Sequence, residues 1–462
     1  MNKTYGVCLG MLALGLVGLG APSAHARARS AAGGPVDGSD AASTATASTT
    51  AASSHTDKVL VAENDDKDTA TPAADAPQDQ GTPAPAAAPA AAPAATTPPA
   101  PMPLGSPSMT APLSTAIPHE ISAGPFGKLE VTGILSGGGM VEGEHVLPGA
   151  EAHWDLSNAQ VFVQKTSGWF QFYLQGGAYN ILALGSPFVG TGTQISQLYG
   201  PLPVGYIKLV KGGFSVQAGE LPTLIGAEYT FSFENMNIER GLLWAQEPAI
   251  SRGIQLNEAY KKLSLSFAYT DGYFSNRYTS LSGSLAYAFN AANTLSFVAS
   301  GNAGAYARTP VTPATPLFQN DSSVYNVIYT YTKGNVTVTP YYQYTSVPKD
   351  ASVFTPEGAH TNSGAILANY NFKHGVSLAG RFEYIKTGGG SSTDVNSINL
   401  LYGPDSGAYS FTVTPTYQKD GFFLRGEFSY VHITGLTAGL GFKTNGTGTD
   451  QPRGAIEAGI MF

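Results

Sequence analysis

The sequence has almost no cysteine. Its one thiol, Cys8, lies within the first ten positions. A disulfide framework, a cysteine metal site and thiol catalysis are therefore excluded beyond that leader. Charge is also scarce. Asp, Glu, Lys and Arg make up 12% of the 462 residues, about half of the roughly 25% in an ordinary soluble domain. The net charge is −8 and no basic patch occurs, which argues against nucleic acid as a partner. Past the first twenty residues no run of about 20 apolar residues exists that could cross a bilayer as a helix. The eight histidines are scattered. No Ser-His-Asp spacing, phosphate loop or metal-ligand cluster is recognisable, so the expectation is a protein that is not an enzyme and needs neither cofactor nor metal.

One tract lacks aromatic residues altogether. Residues 27–118 contain no Phe, Trp or Tyr and are dominated by Ala, Pro, Thr and Ser, as in GTPAPAAAPAAAPAATTPPAPMP. Such a chain cannot bury enough apolar surface to offset its conformational entropy, so this tract reads as a disordered linker in the periplasm. The acidic run Glu63, Asp65, Asp66, Asp68 within it reads as solvated charge. Residues 1–26 read as a secretory signal peptide: Lys3, an apolar core from Val7 to Gly20, and Ala24-His25-Ala26 as the cleavage site.

From about residue 119 the composition changes. All 22 Phe, all 3 Trp and 23 of 24 Tyr lie beyond residue 118. Apolar and polar residues alternate strictly. In AYSFTVTPTYQ, Tyr409, Phe411, Val413, Pro415 and Tyr417 share one face, and Ser410, Thr412, Thr414, Thr416 and Gln418 the other. Because side chains in a strand repeat every two residues, such segments have one oily and one wet side. They are joined alternately by seven short turns and eight longer connections, which gives about sixteen strands. Short turns on one rim, long loops on the other and an even strand count are the features of outer-membrane barrels. The fold class is thus all-β: an antiparallel transmembrane β-barrel over 119–462, facing outer-membrane lipid. Edges left open in hydrocarbon could not be solvated, so the sheet must close, and sixteen strands leave an aqueous channel. The segment VNSINLLY, 395–402, alternates poorly and reads as loop. The last strand, RGAIEAGIMF, ends on Phe462, an aromatic terminus of the kind that resembles a signal for the outer-membrane assembly machinery.

The longest non-alternating stretch is the third long loop, 221–249. It carries Glu228, Glu234, Glu239, Arg240 and Glu247, together with Phe231, Phe233, Leu242, Leu243 and Trp244, apolar surface that must be buried somewhere. Strand parity sends four charged residues inward: Arg381 and Glu383 opposite Phe382 and Tyr384, and Arg425 and Glu427 opposite Leu424 and Phe428. A charge on the lipid face would cost about 2–4 kcal/mol at mid-membrane. Lys208 is a weaker inward candidate.

With GELPTLIGAEYTFSFENMNIERGLLWAQEPAISRG as its most specific stretch, and more loosely over 128–462, the sequence resembles the OmpL-like β-barrel porin family of Gram-negative bacteria. The resemblance implies an outer-membrane pore without fixing a solute. The expected function is passive diffusion of small hydrophilic solutes or ions, with loop 221–249 as the constriction and the four inward charges as pore wall. A sugar-preferring channel and an envelope-tethering barrel are the alternatives. Analogy with other sixteen-stranded porins implies a homotrimer. Four glutamates against Arg240 give the loop a net charge of −3, which predicts mild cation preference, with Arg381 and Arg425 facing it across the pore.

Overall fold

The alternating segments form strands because their polar and apolar faces have different solvents. In the computed structural model, which describes residues 113–114, 116–146, 149–303, 321–350, 357–390 and 400–462, sixteen of them close into one antiparallel barrel. A short strand β1 (His119–Ser122) precedes β2 (Lys128–Glu142), β3 (Ala152–Lys165), β4 (Phe170–Tyr179), β5 (Val204–Lys211), β6 (Phe214–Pro222), β7 (Ile250–Tyr260) and β8 (Leu263–Thr270). Then follow β9 (Ser280–Asn290), β10 (Asn293–Asn302), β11 (Ser323–Lys333), β12 (Val336–Val347), β13 (Ala359–Asn371), β14 (Val376–Gly389), β15 (Gly407–Lys419), β16 (Phe422–Thr434) and β17 (Asp450–Met461). Each strand from β2 to β17 pairs with its chain neighbour, and β17 pairs with β2 from Arg453↔Glu142 to Met461↔Ile134. The signal segment 1–26, the linker up to residue 112, and 395–399 lie outside the described residues. Residues 400–402 of VNSINLLY are not strand.

Alternation holds along the strands as expected from the sequence. On β15, Ser410, Thr412 and Thr414 are wholly buried, while Phe411 is 50% exposed. The two similar strand sequences TVTPYYQ and TVTPTYQ place Pro340 and Pro415 where the ladder to one neighbour skips a step. Pairing passes from Ile328↔Tyr341 to Tyr331↔Val338, and from Val413↔Phe428 to Thr416↔Arg425. Proline has no N–H to donate, and a gap in the ladder accommodates it.

The seam is reinforced at its short-turn end. Phe462 exchanges backbone hydrogen bonds with Gly133, donating at 3.0 Å and accepting at 2.6 Å. Below that pair, β1 takes over as the partner of β2, His119 opposite Val131. The residues just before β1 depart from the expected linker. Leu113 is only 6% exposed and joins a cluster with the inward-facing Ile134, Phe162, Phe423 and Met461. The Ser114 amide donates to Gln418 Oε1 at 2.6 Å, and Gln418 Nε2 returns a bond to the Ser114 carbonyl at 2.8 Å. The reason is local: the inner wall is apolar at this rim, and Leu113 covers it. Gln418→Leu removes both bonds, each worth about 0.5–1.5 kcal/mol. The expected outcome is exchange of the Ser114 amide about tenfold to a hundredfold faster, measured by hydrogen–deuterium exchange, with the barrel amides unchanged.

Candidate functional site

The loop between β6 and β7, residues 223–249, turns into the barrel, and residues 225–250 are all buried. Its sequence folds it on itself first. Two single 3-10 turns, Ser232–Glu234 and Trp244–Gln246, compact the chain. The Phe231 amide donates to Glu234 Oε2 at 2.8 Å. Asn235 accepts from the Tyr229 amide at 2.7 Å and donates to the carbonyls of Tyr229 and Phe231. Gly226 has φ 80°, and a Cβ there would lie 1.7 Å from Glu247 Oε2, so the entry turn requires glycine.

Apolar residues then dock the loop on two walls. Phe231 and Phe233 meet Tyr179 and Phe162 at ring distances of 5.3 and 5.6 Å. Leu242 and Leu243 belong to a cluster with Val324, Ile328 and Tyr341. Loop residues after β4 cover the insert from the long-loop side: Arg240 donates its amide to the Leu182 carbonyl at 2.8 Å and accepts from the Leu184 amide at 2.9 Å.

The charged wall supplies what water would otherwise give the loop backbone. Glu427 on β16 accepts the amides of Ile238 (2.5 Å) and Glu239 (2.9 Å). Glu383 on β14 accepts those of Leu242 (2.9 Å) and Leu243 (3.1 Å). Arg425 donates to the carbonyls of Ser232, Asn235 and Met236 at 2.9–3.0 Å. Arg381 donates to the Glu239 carbonyl at 2.7 Å and to Glu228 Oε1 at 2.5 Å. A buried amide or carbonyl without a partner is costly, so these side chains are what allow an irregular loop to lie dry inside the barrel.

The loop charges and the four wall charges singled out in the sequence thus meet in one place, while Lys208 lies apart on β5, and Arg381 and Arg425 touch the loop directly. They do not face it across open lumen, because the insert seals against β14–β17. Glu239 reaches Arg453 at 2.8 Å and Ser429 at 2.8 Å. Arg240 donates to the carbonyls of Leu182 and Ile238. Glu247 is wholly buried and forms no ion pair among the described residues. Three members of the network escaped the sequence reading: Arg453, Glu457 and Glu142. Arg453 bonds the carbonyls of Ala183 and Ser186 as well as Glu239, and lies 3.3 Å from Glu142. Glu457 accepts from Ser136, Asn158 and Ser232 and lies 3.4 Å from Arg425. On β17 both share the parity opposite to Ile456, so the rule that found Arg381 would have found them.

The wall that the insert leaves open is different. On β9 and β10 the inward residues Ser282, Ser284, Ala286, Ala288, Thr294 and Ser296 are small and partly exposed, whereas outward Tyr287 and Phe289 are 41% and 47% exposed. At the long-loop rim on this side Arg252 pairs with Asp271 at 2.9 Å. Burial raises the Asp271 carboxyl above its ordinary value, and Arg252 acts against that shift.

A family model described as "Putative beta-barrel porin-2, OmpL-like" matches residues 129–462. No curated protein matches the chain. Among solved structures, in-vitro folded OmpT, an outer membrane protein of Vibrio cholerae, superposes with TM-score 0.50 at 12% identity, over 74% of this chain and all of that one. An anion-selective porin from Comamonas acidovorans gives 0.47 at 10% identity, covering 72% and 99%. The outer membrane channel DcaP of Acinetobacter baumannii gives 0.46 at 8% identity, covering 72% and 97%. The OmpT likeness shows the barrel fold.

Arg425→Met removes one partner from a desolvated network and leaves Glu457 and three loop carbonyls uncompensated. Breaking such a buried pair costs about 3–5 kcal/mol. The expected result is a lower urea midpoint for the folded barrel and protease cleavage within 225–249. A loop that stays resistant in this variant would mean that the Arg425 contacts are not needed to hold it.

Proposed function

Because the chain belongs to the OmpL-like β-barrel porin-2 family, we propose that it forms a water-filled channel in the outer membrane for passive diffusion of small hydrophilic solutes, narrowed by the inserted loop 223–249. The short turns then face the periplasm and the long loops the exterior. The observation that carries this reading is the asymmetry of the interior. One wall is packed against the insert, while the inward hydroxyl and methyl groups of β9 and β10 keep contact with solvent. On this reading the solute path is eccentric and runs along β7–β10. The buried charges hold the constriction in place rather than lining it, and no enzymatic step is invoked.

The same reading assigns Phe462 to assembly. Its ring is 47% exposed on the outward face, where a periplasmic assembly factor could engage it. A homotrimer remains the proposed oligomer, by analogy of fold alone.

Two measurements test the channel. In planar bilayers the purified protein gives discrete conductance steps, and deletion of residues 227–246 enlarges them; absence of channels sinks the proposal. Reversal potentials across a KCl gradient test the field. Among the described residues, eight buried glutamates stand against four buried arginines. We therefore expect mild cation preference that weakens as salt rises, since the Debye length falls from about 10 Å at 0.1 M to about 3 Å at 1 M. Glu239→Gln, which removes the loop carboxylate paired with Arg453, reduces the preference. Anion preference unchanged in that variant would show that the buried charges do not act on the path.

A further inference from the structure

A cavity of about 350 Å³ opens between β5, β6, β7 and β8, beneath the root of the inserted loop at Thr223 and Leu224 and beside the Gly212-Gly213 turn. It lies on the open side of the barrel, toward the short-turn rim, away from the charged network. It has its own polar construction. Asn257 donates from Nδ2 to Gln217 Oε1 at 2.7 Å, and its Oδ1 accepts from Gln255 Nε2 at 2.7 Å and from Ser266 Oγ at 2.8 Å. Four residues on three adjacent strands thus fix one another's amide and hydroxyl orientations. This row is ordered before any solute arrives, which lowers the entropic cost of binding.

The row leaves specific capacity unused. Gln255 Oε1 accepts no hydrogen bond, and Lys208 makes neither an ion pair nor a hydrogen bond among the described residues. The charged residues on the lining are Lys208 and Glu258; Glu258 shares the outward parity of Ile254 and Leu256 on β7, so Lys208 is the one charge presented to the cavity. Tyr206, stacked on Tyr173 at 5.6 Å, and Leu224 give it apolar edges.

These features select a class of ligand. An inorganic cation finds no inward carboxylate, and an inorganic anion finds a single ammonium without a second cation to enclose it. An apolar solute would leave Gln255 Oε1 and the Lys208 ammonium without partners as it displaced water. A vicinal diol donates and accepts at neighbouring positions, as side-chain amides do. The volume falls within the range of about 300–1,000 Å³ of small-molecule sites. Resting on the channel reading above, we infer that this cavity is a subsite for a neutral polyhydroxylated solute of one or two sugar rings, through which such solutes leave the constriction.

The test uses the full-length mature protein in planar bilayers, with sucrose as probe and polyethylene glycol of matched hydrodynamic size as control. Channels must first appear; without them the channel reading itself fails, and the subsite is not what failed. Given channels, sucrose is expected to lower the current saturably and polyethylene glycol only in proportion to its concentration. Gln255→Ala, which leaves the Asn257–Gln217 bond in place, raises the half-saturating sucrose concentration by about tenfold, as does Asn257→Leu. Heat-dependent migration on gels verifies that each variant is folded, and either folded variant suffices. Identical, unsaturated effects of sucrose and polyethylene glycol in the parent protein would overturn the inference. So would equal half-saturation in parent and variants, or tighter saturation by gluconate than by sucrose.

Discussion

The structure depends on how an irregular loop is kept hydrogen-bonded where water does not reach it. A strand in a barrel satisfies its backbone from its neighbours, but residues 223–249 have no ladder. Side chains of the wall replace it: Glu383 and Glu427 accept loop amides, and Arg381 and Arg425 donate to loop carbonyls. Arg453 does the same for the loop that covers the insert. Hydrogen bonds to ionised partners are stronger than neutral ones, and each of these wall residues makes several short contacts rather than one to a single counterion. This is why the buried charges of the wall are concentrated on β14, β16 and β17.

That arrangement makes the barrel lopsided. The walls that serve the insert carry long polar side chains and end, at the short-turn rim, in the apolar patch covered by Leu113. The remaining wall carries Ser, Ala and Thr, too short to reach across, and so stays wet. The amide row of Gln217, Gln255 and Asn257 lies at the end of this second wall. Closed and open halves therefore follow from side-chain length and charge, with one backbone architecture throughout.

Much of this was legible beforehand. Strict alternation gave the strands, and the short-long rhythm of connections gave sixteen of them in the right places. Parity gave the inward direction of Arg381, Glu383, Arg425 and Glu427, and the same rule applied to β17 would have added Arg453 and Glu457. The surplus of apolar residues in the third loop required a burial site. Parity could not reveal what the inward charges touch. The expectation that Arg381 and Arg425 face the loop across open lumen came from treating walls and loop as separate bodies. The docking of Leu113 was hidden for a similar reason: a lone leucine in an Ala/Pro-rich tract carries no periodic signal.

The sequence by itself determined the barrel, its strand count and which residues point inward, because each follows from a two-residue repeat and the need to close a sheet in lipid. Only the tertiary structure decided which inward residues are dry. That depends on where a 27-residue loop without periodicity comes to rest, and its resting place is set by contacts between residues far apart in the chain, Glu228 with Arg381 and Ser232 with Glu457. No local pattern encodes such pairs, since a carboxylate has the same propensities whether water or a guanidinium waits for it.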